Sequence, residues 1–201
     1  MPEADDLQQL TASLWIWQAF DPAVKADLFS TAVLSGGRLF LIDPIGLAPE
    51  PRGELKRIAP IAGILLTNAN HLRDAKEWAQ REQAPVWAGE SAGLKLNGPS
   101  ALRVFGDGIA PELTPITIDG AVAGETALFL AGDDGTVVVG DALINVEPYG
   151  FSLLPKKYCS DQQQMRRSLR QLLNFSFERL LFAHGYPLVD STRERLEEVL
   201  Q

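Results

Sequence analysis

Cysteine is nearly missing from this sequence: Cys159 is the only one in 201 residues. No intrachain disulfide can form, and a thiolate metal site would lack further sulfur ligands. The expected setting is therefore a reducing cytoplasm. Histidine is almost as scarce, with only His71 and His184. Basic residues are outnumbered, 18 Lys and Arg against 26 Asp and Glu, giving a net charge of −8 and a pI near 4.8. With no Lys/Arg cluster, a nucleic acid or an anionic membrane is excluded as the main partner. No apolar run approaches the roughly 18 residues needed to span a bilayer. The opening MPEADDLQQL is acidic and lacks the basic-then-apolar order of a signal peptide.

What is present is ordinary for a soluble globular protein: 46% hydrophobic and 22% charged residues. The length suits a single domain covering residues 1–201. Short apolar strands alternate with amphipathic helices. Residues 13–17, 31–35 and 38–43 read as strands, the last two joined by a tight Gly36-Gly37 turn. Residues 51–58 have helical composition, and Pro51 suits a first turn. IAGILLT (61–67) is a continuous apolar run, as in a strand buried on both faces. A helix over 73–82 and a strand over 84–89 complete a βαβ crossover pattern. Strand signals return at 115–118, 126–130 and 136–141. A helix at about 161–173, a strand at 179–182 and a helix at about 190–200 close the chain. The expected architecture is α/β with two sheets.

The polar residues of interest fall at strand ends: Asp43 after LFLI, NANHLR (68–73) after ILLT, Asp141 after TVVVG and His184 after LLFA. In α/β folds, side chains at the carboxyl ends of strands converge on one rim where ligands bind. Taken singly, an Asp after an apolar strand is more often a turn residue, and a lone His more often a structural one.

The ordered set of motifs resembles the metallo-β-lactamase superfamily, in particular its glyoxalase II-like hydrolase branch. LFLIDP (39–44) is similar to the early strand-plus-Asp motif. GILLTNANHLRDA (63–75) falls on the T-H-x-H-x-D-H turn and its following helix. GAVAGETALFL (120–130) falls on the G-H-T-P-G segment, TVVVGDALI (136–144) on the later strand-plus-Asp, and FERLLFAHGYPL (177–188) on the last histidine motif. The resemblance implies a four-layer αββα sandwich, two mixed β-sheets flanked by helices, with a metal site where the two sheets meet.

Carried over by position, the resemblance also implies a degenerate site. The first two histidines become Asn68 and Asn70, the acid becomes Leu72, the next histidine Arg73, and the third-motif histidine Ala121. Asp141 and His184 are the surviving ligand positions, and His71 falls on a variable position that the family gives no reason to count as a ligand. Amide oxygens are weak zinc ligands, and Arg73 places a fixed positive charge at a former metal position. A bound zinc cofactor is therefore not expected, nor the activated water that the family's hydrolysis needs. The expected cleft residues are Asn68, Asn70, His71, Arg73, Asp141 and His184, a set able to hold a small polar or anionic molecule. Arg73 is expected to bond Asp141, with Ala121 on the same rim. The alternative is an ester or thioester hydrolase with an atypical or mononuclear metal. A homodimer stays open. GAVAGE lacks the Lys of a phosphate loop, Ser91 and Ser100 lack a nucleophile elbow, and nothing brings Cys159 to His184.

Overall fold

A computed structural model describes residues 1–95, 102–106 and 109–201. Alternation along each strand explains its layers. In strand Arg38–Ile42, Leu39 and Leu41 face one core while Phe40 and Ile42 face another. Strand Ile61–Leu66 repeats this, with Ile64 and Leu66 on one side and Leu65 on the other. Strand Thr136–Val139 sends Val137 and Val139 to a third core and Val138 to the middle one. Because successive side chains point to opposite faces, an unbroken apolar run requires a covered layer on each side.

The first sheet has seven strands in the order Gln8–Gln9, Leu14–Asp21, Ala26–Ser35, Arg38–Ile42, Ile61–Leu66, Val86–Ala88, Leu102–Val104. Its first three pairings are antiparallel and its last three parallel. The second sheet orders Leu113–Thr117, Thr126–Leu130, Thr136–Val139 and Arg179–Phe182, the last pair parallel. Helices Pro49–Ile58 and Ala75–Glu82 cover the outer face of the first sheet through Leu55, Ala75 and Trp78. Helices Gln162–Leu169 and Thr192–Val199 cover the second through Met165, Leu169 and Leu196. Three cores between four layers make the αββα sandwich that the resemblance implies.

Trp15, Trp17 and Trp78 are buried in the core under the first helical layer. The indole N–H groups of Trp17 and Trp78 both donate to the Ile45 carbonyl, at 3.3 and 3.0 Å. Helix 73–82 was expected to start two residues earlier than it does. Arg73 sits in the left-handed region at φ 38°, which ends the preceding turn and delays the helix to Ala75. Short elements with little apolar pattern were not expected: helix Glu90–Lys95, strand Leu102–Val104, and the hairpin of Leu143–Val146 with Gly150–Leu153.

The parallel strands of both sheets end at the same seam. There Phe29 N–H donates to the Ala183 carbonyl at 3.0 Å, and Thr126 N–H to the Thr67 carbonyl at 2.7 Å. The residues after these strands are thereby held face to face. Leu65, fully buried between the sheets, tests the layering. Leu65→Ala should cost about 2–5 kcal/mol by urea denaturation. A loss no larger than that of an exposed substitution would contradict the sandwich.

Candidate metal centre at the sheet seam

Strand Arg38–Ile42 delivers Asp43, and strand Ile61–Leu66 delivers Thr67 and the turn after it. Asp43 is buried and adopts φ 47°. Its Oδ1 accepts from the Thr67 backbone N–H at 2.8 Å, and its Oδ2 accepts from the Thr67 hydroxyl. The same Oδ2 lies 2.9 Å from His71 Nδ1. The turn points the buried His71 inward and leaves Asn70 exposed.

From the second sheet come Asp141 and His184. Asp141 Oδ1 is 3.3 Å from His71 Nε2 and 3.4 Å from His184 Nε2. His71, Asp141 and His184 each direct a donor atom into one spot, all within 4.8 Å of one another. Two glycines make room. A Cβ at Gly140 would meet Thr67 Oγ1 at 2.4 Å, and one at Gly185, where φ is 104°, would meet the Asn145 carbonyl oxygen at 1.9 Å. The backbone beside Asp141 and His184 therefore packs too closely for any side chain.

Asn68 joins the cluster in another way. Its Nδ2 donates to Glu125 Oε2 at 2.8 Å and to Asp141 Oδ2 at 3.1 Å, and its Oδ1 accepts from the Asn70 N–H at 2.8 Å. Asn70 thus contributes its backbone and not its exposed side chain. Leu72 packs against the core beneath the outer helices. Ala121 is buried in the core of the second sheet.

Arg73 is where the expectation fails. Its guanidinium bonds no carboxylate of the seam; it donates to three backbone carbonyls, Phe29 at 2.6 Å, Asp43 at 2.8 Å and Ala183 at 3.1 Å. Two of these belong to the first sheet and one to the second. Arg73 does tie the halves together, but through main-chain oxygens, and it reaches Asp141 only through its field. A planar cation with five donors suits several carbonyls better than a point charge would.

Glu125 was missed by sequence reading. It is buried, accepts from the Ala142 N–H at 3.1 Å and holds Asn68. The available signal was its place between the Gly-bounded GAVAG turn and a strand beginning at Thr126. Asp43 was noticed as a strand end but not placed in the cleft set. Ser100 lies outside the described residues.

Electrostatics follow from this packing. Burial, with Arg73 acting in the same direction, would depress His71, but the Asp141 and Asp43 carboxylates overcome both and raise it to about 9. Burial would raise Asp141, yet His71, His184 and Arg73 hold it well below the usual carboxylate range. Asp43 is also lowered, chiefly by His71 against its burial. Burial, reinforced by His71, pushes His184 down to about 4. Burial and the neighbouring Asp141 push Glu125 up to about 7. Two carboxylates therefore face two cations, His71 and Arg73, at neutral pH.

The donor set decides what metal could fit. Two metals do not: the positions that the resemblance assigns to their ligands hold an amide already bonded on three sides, a leucine turned into the core, an alanine and a guanidinium. A single ion does fit three converging donors, the minimum for a catalytic zinc site.

The fold is an αββα sandwich with its polar residues gathered where two mixed sheets meet. The chain belongs to the metallo-beta-lactamase superfamily, whose family model matches residues 8–201. Among solved structures it is similar to the DIM-1 metallo-beta-lactamase, at 12% identity and a TM-score of 0.77, covering 99% of this chain and 97% of that one. It is also similar to a metallo-beta-lactamase from Pontibacter korlensis, at 15% identity and a TM-score of 0.73, covering 98% of each chain. A third is TMB-1, at 13% identity and a TM-score of 0.69, covering 100% of this chain and 98% of that one. At such identities the likeness concerns the fold alone. No curated protein matches.

Two outcomes follow from the geometry. Arg73→Ala removes a charged donor from three carbonyls, of which Asp43 keeps the Ser30 hydroxyl and Ala183 the Phe29 N–H, and should cost about 1.5–3 kcal/mol in chemical denaturation, with Arg73→Lys recovering only part. Loss of under half that would mean the carbonyl contacts are incidental. For His71, the folded value of about 9 lies above the ordinary 6.5. Its stabilisation is complete below the unfolded value and disappears as pH rises through the folded one. Chelator-treated protein should lose stability between neutrality and about pH 9. His71→Gln should flatten that stretch of the profile, and a mutant profile parallel to wild type would contradict the assignment.

Proposed function

We propose that this chain uses the metallo-β-lactamase fold without the zinc-dependent hydrolase activity that the resemblance implies, and that the seam holds a small polar or anionic molecule. The observation carrying this reading is Arg73: a cation fixed by three carbonyls at a position where the resemblance puts a metal-binding histidine. A permanent positive charge there opposes a second divalent ion. Leu72 removes the acid that would orient a bridging water. His184, with a side chain 19% exposed, and the carboxylate of Asp141 are the groups that an arriving molecule meets first. The scarcity of cysteine fits a cytoplasmic setting, and no helix of the described residues is long and apolar enough to cross a membrane.

A second reading has one specific observation in its favour. The convergence of His71, Asp141 and His184 would let an ester or thioester hydrolase operate with one metal. In that case the ion would supply a Lewis acid and a more acidic bound water, while Asp43 and Asn68 would orient the residues holding it.

Metal analysis of chain purified without chelator, paired with a thioester hydrolysis assay, tests the main reading. The expected result is fewer than two equivalents of metal and no hydrolysis above background. Two equivalents, or turnover on the order of 10 s⁻¹, would contradict it.

A further inference from the structure

We propose that His71, Asp141 and His184 form a binding site for a single divalent transition-metal ion, with the third ligand recruited from a position that the family's ligand pattern does not use. The inference rests on the loss of the two-metal centre argued above and adds what replaced it. His71 Nε2 and His184 Nε2 stand 3.3 and 3.4 Å from the same Asp141 Oδ1. Charge-assisted hydrogen bonds between nitrogen and carboxylate oxygen are shorter, at about 2.7–2.9 Å. Ligand atoms around a tetrahedral ion with bonds of about 2.0–2.1 Å lie roughly 3.3–3.4 Å apart. Two of the trio's three edges thus have the spacing of ligands around an ion, and the third, between the two imidazoles, is no longer than 4.8 Å.

The surroundings fix two of the three ligands, His71 and Asp141, in the required orientation. Asp43 Oδ2 at 2.9 Å from His71 Nδ1 anchors the far side of the ring and leaves Nε2 facing the trio. A carboxylate behind a ligating imidazole is the usual support of a metal-binding histidine, setting its tautomer and angle. Asn68 Nδ2, at 3.1 Å from Asp141 Oδ2, likewise occupies one carboxylate oxygen and turns the other toward the histidines. His71 has a side chain only 4% exposed, whereas His184, at 19%, marks the side from which an ion enters. Two imidazoles and one carboxylate are a donor set for zinc, iron(II) or cobalt(II), and they leave positions for water or a small anion.

Cobalt(II) is the probe. The full chain, treated with chelator and desalted, is titrated with Co²⁺ and followed by calorimetry and visible absorption. One equivalent should bind, with the ligand-field bands of a low-coordinate site. Both His71→Ala and His184→Gln should abolish the bands, and Asp43→Asn should weaken binding about 10–100-fold. Circular dichroism checks that each variant is folded. His184→Gln leaves the Asp43–His71 pair intact, so it decides the matter if His71→Ala does not fold. Folded wild type that takes up no Co²⁺ would overturn the site while leaving the proposed function standing. So would one equivalent with an affinity unchanged by His184→Gln. Two equivalents would overturn the one-ion site and the proposed function together.

Discussion

Three carboxylates, Asp43 from one sheet and Glu125 and Asp141 from the other, are buried where the two sheets meet. A charge taken out of water without a partner costs several kcal/mol, so this seam cannot close unless each acid is compensated. The imidazole of His71 answers most of that demand. One ring nitrogen faces Asp43 and the other faces Asp141, so one side chain spans both halves of the sandwich. Asn68, carried by the first sheet, donates to both acids of the second, Glu125 and Asp141. The rest of the seam serves these contacts: the close packing at Gly140 and Gly185, the left-handed backbone at Asp43 and Arg73, and the inward turn of residue 71.

Arg73 joins the two sheets without a carboxylate partner. Its guanidinium does so by gathering carbonyls of Phe29, Asp43 and Ala183. Its charge balances the same acids at a distance, while its bonds go to the main chain. The three bonds thereby fasten the seam from both sides.

The layers were legible because the unbroken apolar runs in LFLID, ILLT and TVVVG leave no polar face, so each strand must be covered on both sides. The elements that escaped, such as Leu143–Val146 and Glu90–Lys95, are both short and mixed in polarity, so neither a period nor an unbroken apolar run shows. Asn68, Asp141 and His184 fall where strand ends predicted them. His71 was legible as a residue but not as the centre, because motif spacing fixes a place along a turn and not which of Asn70 and His71 points inward. Arg73 invited a carboxylate partner because side-chain charges are visible in a sequence and backbone carbonyls are not. Glu125 was hidden by a motif whose expected polar position, Ala121, is apolar.

The account turns on His71 being held between two carboxylates from different sheets. Nitrogen-15 NMR of the imidazoles in chelator-treated protein tests it most directly. The expected result is a slowly exchanging, far-downfield Nδ1 proton on His71 that shifts upfield in Asp43→Asn. A His71 ring whose protons exchange as freely as those of an exposed imidazole, unaffected by Asp43→Asn, would contradict the account.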